Sequence, residues 1–504
     1  MFITDTCFFS KAFLKIKCTF IQKKENLKTI KENIQKLLAT FSKEEILEII
    51  DLPRTASNRI YLRIKTQSSQ TYIAVYNDNK RENDAFVAFA SSLQKANIKV
   101  PEVYAYDSDN YIYIQEDLGA VSFFDFLQKE KDNANFEQQR KEYYQRIIKD
   151  LIDIQVNAVK EVDFSKTFPR SDFDKQSIVW DLNYFKYYFI KLSGLNFDEQ
   201  LLEDAFDSFT KRLLEIPSSF LLYRDFQSRN IMLRDDELVY IDFQGARRGA
   251  LQYDLASLLF DSKANLPHQL RLDLLDFYIA SLPEEIRKEQ PNFKQSFWSF
   301  ALIRIMQAMG AYGYRGWIEK KQHFIDSVPY ALKNLQYVLQ ELSDTQSFDY
   351  LISVLNELPN TPMVKKYLIN KKQNNLKVHI NSFSYKKGIP KDSSDNGGGF
   401  VFDCRAIHNP GRYEPYKQLT GMDKPVIEFL DKEESMASFL TNVYELVDES
   451  VKTYIDRGFE NLMVNFGCTG GQHRSVYSAE HLKKHLQEKF DINIELHHIE
   501  QEKK

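Results

Sequence analysis

The sequence predicts an α+β chain in two parts: a two-lobed domain, strand-rich at its start and helical afterwards, and then a small α/β domain. Three observations carry this reading. Between Ile60 and Gln115, short alternating segments flank one helical stretch. From Ser219 to Asp254, two apolar runs each deliver a carboxylate. Beyond Leu376, apolar runs alternate with helical periodicity around a Gly-rich loop.

Composition bounds the rest. At 504 residues the chain is long enough for two to four domains, with 43% hydrophobic and 27% charged residues and a net charge of −4. No global basic field points to nucleic acid. Cys7, Cys18, Cys404 and Cys468 lack metal-type spacing, which favours a reducing, cytoplasmic setting without a disulfide framework. No apolar run approaches membrane-spanning length. Residues 1–24 read as an N-terminal extension: Lys11, Lys15 and Lys17 interrupt the apolar start, and no small-residue cleavage site follows.

The first lobe is expected over residues 25–118. Leu27, Ile30, Ile34, Leu37 and Leu38 recur at helical spacing within Glu25 to Ile50. Ile60 to Lys65 and Thr71 to Tyr76 alternate as strands around a polar turn, Arg81 to Ala96 reads as a helix, and Val103 to Tyr106 with Tyr111 to Gln115 form a second strand pair. Ser57-Asn58-Arg59 is either a plain loop or a small polar turn whose amides approach phosphates. Glu116-Asp117-Leu118-Gly119 suits a hinge into a helical lobe, residues 119–343. Pro359, Pro362 and the polar run Lys371 to Asn375 mark a boundary, so 344–375 reads as a linker and 376–504 as the last domain.

The motif that organises the chain lies between two strands. Phe220-Leu221-Leu222 leads into Arg224-Asp225, Asn230 follows five residues after the Asp, and Leu238 to Ile241 delivers Asp242-Phe243. Such a layout suits phosphoryl transfer: one Asp accepts or orients the acceptor hydroxyl, while an Asn and the second Asp hold Mg²⁺ among nucleotide phosphates. A β-hairpin with polar turn residues is the plain alternative. The expected fold is therefore a two-lobed protein-kinase-like domain.

Asn58-Arg59, Glu82-Asn83, Val100-Pro101, Glu116 to Gly119, the Asp225 loop and Asp242-Phe243 resemble the aminoglycoside phosphotransferase-like kinases, above all the N-acetylmuramate/N-acetylglucosamine anomeric kinases. The resemblance covers about Glu25 to Ser343. It implies ATP and Mg²⁺ as cofactors, Asp225 as the catalytic carboxylate, Asn230 and Asp242 as metal ligands, and Asn58, Arg59, Glu82, Glu116, Asp117 and Leu118 around the nucleotide. It also implies an amino-sugar acceptor near Arg304, Gln307 and Gly310 to Gly316. Trp180 and Asp181 lie on an aromatic-rich helix, where a ring to stack on a sugar and a carboxylate for its hydroxyls compete with ordinary helix core. Two departures stand out. Tyr223 occupies the place of the family's loop His, and the strand Thr71 to Tyr76 carries no Lys to pair with Glu82 and phosphates. Arg59, Arg63 or Lys65 are the available substitutes; without one, the chain reads as a weak kinase serving as sensor or adapter. Aminoglycoside phosphorylation is the alternative enzyme reading.

In the last domain, Leu462 to Phe466 runs as a strand into Gly467-Cys468-Thr469-Gly470-Gly471-Gln472-His473-Arg474-Ser475, which opens a helix. Strand, Gly-rich turn and helix N-terminus form an anion site, to which His473 and Arg474 add donors. Cys468 and Arg474 also stand in the C-x₅-R spacing of cysteine phosphatases, a rival reading. Ser384 to Gly388, Phe402 to Arg405, Asn409-Pro410, Leu419 to Asp423 and Gly467 to Ser475 resemble the C-terminal domain of the RNase adapter protein RapZ. That resemblance implies a sugar-phosphate site at Gly467, Cys468, Thr469, Gly470, Gly471, His473, Arg474 and Ser475. No P-loop motif accompanies it, and neither nucleic acid nor membrane is expected as a partner.

Overall fold

The computed structural model describes residues 27–53, 59–131, 133, 135–365, 376–392, 394, 397–457, 459–490 and 492–502. Residues Met1–Pro362 and Met363–Lys504 form two units. The expected N-terminal extension lies outside the described residues, as does Asn58.

The first unit begins with a five-stranded antiparallel sheet in the order β1-β2-β3-β5-β4. Its strands are β1 (Ile46–Asp51), β2 (Ile60–Thr66), β3 (Thr71–Tyr76), β4 (Val103–Asp107) and β5 (Ile112–Glu116). Period-2 alternation sends Leu62, Ile64, Ala74, Ile112 and Ile114 to one face, where they pack with Ile30, Ile34 and Leu38. Val75 and Tyr113 alternate to the opposite face, and there Phe86 of the helix Lys80–Lys95 stacks on Tyr113 at 4.7 Å.

The helical periodicity read over Glu25 to Ile50 divides in two. Residues 27–38 are helical, but Ile46–Asp51 is β1, paired with β2 from Ile46↔Thr66 to Asp51↔Leu62. Ile46, Ile49 and Ile50 continue the helical phase by coincidence. As β-branched residues beside the β2 edge that β3 leaves open, they gain more from strand pairing.

The rest of this unit is helical. The helix Phe293–Tyr312 is buried along most of its length, from Phe297 and Trp298 to Met306 and Met309. Gly313, just past its end, meets the backbone of Tyr188 so closely that a Cβ would lie 1.8 Å from the Tyr188 carbonyl oxygen. Gly310 likewise faces Tyr184, so these glycines serve helix packing. Two small ribbons interrupt the helices: β6 (Phe220–Leu222) with β9 (Arg247–Gly249), and β7 (Ile231–Arg234) with β8 (Glu237–Tyr240). The first part of the expected linker is folded into this unit. Phe348 meets Phe209 at 5.2 Å, the helix Asp349–Glu357 buries Leu351 and Leu355, and the Tyr350 hydroxyl accepts from the Asp198 N–H at 2.6 Å. Residues 366–375 lie outside the described residues.

The second unit is an α/β domain with a parallel sheet, order β11-β12-β10-β13. Its strands are β10 (Lys377–Ser384), β11 (Phe400–Asp403), β12 (Asn461–Cys468) and β13 (Asn493–His498). β12 is buried from Leu462 onward, as a central parallel strand must be. Val464, Phe466 and Ile380 share a core with Val443, Val447, Leu482 and Leu486 of the helices Glu434–Arg457 and Arg474–Lys489. β13, at one edge of the sheet, is only half-buried. Among the described residues no helix is long and apolar enough to cross a membrane.

Candidate active site

The ribbon geometry places the two carboxylates of the first unit side by side. Asp225 follows β6 and Asp242 follows β8, with side chains 45% and 41% exposed. Asn230 ties them together, donating from Nδ2 to the Asp225 carbonyl at 2.9 Å and to Asp242 Oδ2 at 3.3 Å. Gln244 Nε2 donates to Asp242 Oδ1 at 2.8 Å. Burial, then the like charge of Asp225, raises the Asp242 carboxyl above its ordinary pKa, with Gln244 and Arg59 acting against them.

The turn that presents Asp225 is strained and clamped. Arg224 sits at φ +88, costly for a residue with a Cβ. Asp254, fully buried in the helix Leu251–Leu259, accepts the N–H groups of Tyr223 at 2.6 Å and Arg224 at 2.9 Å, and Gln155 Nε2 at 3.4 Å. Burial pushes its carboxyl up to about 7 against those donors. The Arg224 side chain donates to Tyr253 and to Asp181, each at 2.6 Å. Sequence reading takes Tyr253-Asp254, opening an apolar run, as the end of the same motif but gives Asp254 no role in the site. Tyr223, in the place of the expected His, donates its hydroxyl to the Ile241 carbonyl at 2.7 Å and packs edge-on to Phe226 and Phe243. It braces the strand that carries Asp242.

On the nucleotide side, Arg59 is 4% exposed and reaches Glu82 at 2.8 Å and Asp242 at 3.7 Å. Phe86, four residues along the helix from Glu82, stacks on Phe243 at 4.8 Å, so helix and Asp242 turn are packed together. Glu116 pairs with Arg234, Asp117 pairs with Arg63 at 2.6 Å, and Leu118 is buried. Both acids at this expected hinge are thus occupied by ion pairs.

On the acceptor side, Arg304 is buried 3.8 Å from Asp225, held by Ser257 at 3.0 Å and by Gln307 at 2.8 Å. Asp181 is spent on Arg224 and is 7% exposed, which makes it a support of the Asp225 turn. Trp180 is 47% exposed, with the Arg170 guanidinium 5.8 Å from its ring centroid.

The oxygen donors suit a hard cation. Asn230 commits Nδ2 to its neighbours, leaving Oδ1 beside the open Asp242 carboxylate. Among the described residues no group of three or more His, Cys, Asp or Glu could hold a metal. Mg²⁺ in phosphoryl-transfer sites takes one or two carboxylates and completes its shell with water and phosphates, so the residues fit it.

In the second unit, Gly467 to Ser475 leaves the carboxyl end of β12. Gly471 takes φ +66, and its N–H donates to Cys468 Sγ at 3.2 Å, while the Ser475 hydroxyl lies 3.1 Å from the same sulfur. Burial opposes a thiolate, but the Ser475 and Gln472 donors and Arg474 outweigh it and lower the Cys468 pKa. His473 Nε2 meets the Tyr416 carbonyl at 2.8 Å, and Arg474 Nη1 donates to the carbonyls of Arg405 at 2.9 Å and Ile407 at 2.7 Å. Both therefore brace the loop from outside. The Thr469 carbonyl accepts from Ser384 at 2.8 Å, and Gly470 faces open space.

An antiparallel strand lobe, a helical body and the Asp225-Asn230-Asp242 cluster define a kinase-like phosphotransferase fold, here followed by an α/β domain. Residues 48–288 match the Phosphotransferase enzyme family, and residues 376–502 match the RapZ C-terminal domain. The chain thus joins a phosphotransferase-family domain to a RapZ C-terminal domain. Similar proteins include a nucleotide-binding protein of Fervidobacterium nodosum, 28% identical over 252 residues, covering 49% of this chain and 86% of the relative. Another, from Polynucleobacter asymbioticus, is 36% identical over 134 residues, covering 26% of this chain and 44% of the relative. Among solved structures, Plasmodium vivax ethanolamine kinase aligns with a TM-score of 0.41 at 16% identity, covering 58% of this chain and 82% of that one. Choline kinase LicA from Streptococcus pneumoniae aligns at 0.40 and 16%, covering 62% and 98%.

Proposed function

We propose that the first unit transfers a phosphoryl group from ATP to a hydroxyl of an N-acetylated amino sugar, an N-acetylhexosamine or N-acetylmuramate, in the cytoplasm. The observation that carries this reading is the open pair Asp225 and Asp242, joined by Asn230 beside a buried Arg304. Asp225 accepts the hydroxyl proton or orients the hydroxyl for attack. Arg304, 3.8 Å away, faces that carboxylate and offers its charge to acceptor oxygens. Asn230 and Asp242 hold Mg²⁺, which when bound neutralises charge on the nucleotide phosphates. Glu116 to Leu118 give backbone contacts to adenine. The acceptor class rests on the family resemblance, with Trp180 as an exposed ring for a sugar face.

The second unit, in this reading, binds a sugar phosphate at Gly467 to Ser475 and reports it, without turnover. The Gly-rich turn at the helix N-terminus presents amides, and Gly470 leaves room for approach.

The test is ADP formation by the full chain across N-acetylglucosamine, N-acetylmuramic acid, other amino sugars and aminoglycosides. The amino sugars should stimulate turnover, and Asp225→Asn should lower kcat by roughly 10²–10⁴. Stimulation by aminoglycosides alone would move the acceptor to that class. Absence of turnover with every acceptor would leave an adapter.

A further inference from the structure

Family phosphotransferases are expected to place a Lys on the third strand, yet β3 reads Thr-Tyr-Ile-Ala-Val-Tyr and carries no cation. Three cations lie on or next to the neighbouring strand: Arg59, Arg63 and Lys65. The structure separates them. Lys65 is 44% exposed and lies 3.9 Å from Glu48 on β1, and Arg63 is locked to Asp117 at 2.6 Å. Arg59 alone of the three reaches the carboxylates of the site, at 2.8 Å from Glu82 and 3.7 Å from Asp242.

Strand register explains how a residue outside β3 serves this position. Tyr61, Val75 and Tyr113 are direct neighbours across β2, β3 and β5, and so share one face. Tyr61 and Tyr113 both flank the Arg59 guanidinium. Arg59, the residue just before β2, thus brings its charge to the sheet face that Val75 of β3 shares with Tyr61 and Tyr113. Glu82 holds it there and is itself fixed, since Asn77 Nδ2 donates to its second oxygen at 2.9 Å and Asn79 caps its N–H at 3.3 Å.

We propose that Arg59 is the phosphate-binding cation of this site, doing from the β2 entry what a β3 Lys would do, with Glu82 as its positioning residue. Resting on the nucleotide-binding reading above, the inference adds which group grips the phosphates. A guanidinium suits this role: Arg59 Nη2 forms an ion pair with Glu82 at 2.8 Å, Nε and Nη2 are buried without a hydrogen-bond partner, and Nη1 stands 3.7 Å from Asp242. Those two unsatisfied N–H groups have hydrogen bonds to give to a phosphate oxygen placed beside Asp242, and the guanidinium fork can hold Glu82 and phosphate together.

The test is equilibrium binding of ATP and of adenosine to the full chain, with and without Mg²⁺, by calorimetry. Arg59→Ala should weaken ATP binding about 10- to 100-fold, the worth of a charge-assisted hydrogen bond, and leave adenosine binding within about twofold. Adding Val75→Lys to Arg59→Ala should recover much of the ATP affinity, because it returns a cation to the same sheet face. Lys65→Ala should behave as wild type. Thermal unfolding shows whether Arg59→Ala is folded; if it is not, Arg59→Lys, which keeps the charge and loses the fork, should bind ATP several-fold more weakly at unchanged adenosine affinity. Equal ATP affinity in wild type and the folded Arg59 variant would overturn the proposal while leaving the nucleotide site standing. So would a parallel loss of ATP and adenosine binding, which marks a structural role. Wild type binding neither ligand would overturn the nucleotide reading and this inference with it.

Discussion

Asp254→Ala is the sharpest perturbation of the catalytic turn that touches no reacting group. Its carboxylate accepts two backbone N–H groups, from Tyr223 at 2.6 Å and Arg224 at 2.9 Å, in a site closed to water. Deleting it leaves both donors buried and unpaired, at about 1–3 kcal/mol each. It also frees Arg224 from φ +88, a conformation that itself costs about 1–3 kcal/mol and persists only while its surroundings enforce it. The turn then relaxes and recovers part of the loss, so a net cost of about 2–5 kcal/mol follows. For a domain of this kind that corresponds to a fall in Tm of roughly 5–15 °C. Because Asp225 is the next residue, a shift near 1 Å should cost about 10² in turnover. Scanning calorimetry gives the first number, hydrogen exchange at the Tyr223 and Arg224 amides locates it, and ADP formation gives the second. A variant melting within 1–2 °C of wild type, with those amides still protected, would refute the clamp.

Other consequences follow from the packing and from the second unit. Gly313→Ala drives a Cβ into the Tyr188 carbonyl and should destabilise the helical body by at least about 1–3 kcal/mol, measurable as a lower denaturant midpoint. In the second unit, a sugar phosphate at a hundred times its Kd should stabilise the chain by about 2.7 kcal/mol, seen as a thermal shift. Cys468→Ser should keep most of that shift. Arg474→Ala should lose it and also lower the ligand-free melting point, because Arg474 braces the carbonyls of Arg405 and Ile407. Inorganic phosphate release that vanishes in Cys468→Ser would instead mark Cys468 as a nucleophile.

Local pattern made much of this fold legible. β2, β3 and the helix Lys80–Lys95 lie within a residue of where alternation and periodicity put them: β2 alternates buried and half-buried residues, the helix buries one stripe, and β3, buried from Tyr72 to Val75, is bounded by polar turns. Asp225, Asn230 and Asp242 were readable because their spacing within one short ribbon is local. What stayed hidden depends on partners distant in sequence. Arg59 stands in the sequence as one of three candidate partners of Glu82, and only the fold selects it, 23 residues from Glu82 and 183 from Asp242. Asp181 reads in the sequence as a candidate sugar-binding acid, and only the fold shows it paired with Arg224. β1 and β13 were lost for a different reason: an edge strand with half-buried residues has little periodicity of its own.

The central claim is that Asp225 serves transfer of phosphate to an amino sugar, and ³¹P nuclear magnetic resonance of the full chain with ATP, Mg²⁺ and N-acetylglucosamine or N-acetylmuramic acid tests it directly. A new phosphomonoester resonance should grow as ATP converts to ADP, and it should fall by roughly 10²–10⁴ in rate with Asp225→Asn. ATP that stays intact with both sugars, or that yields inorganic phosphate alone at the same rate in wild type and Asp225→Asn, would contradict the account.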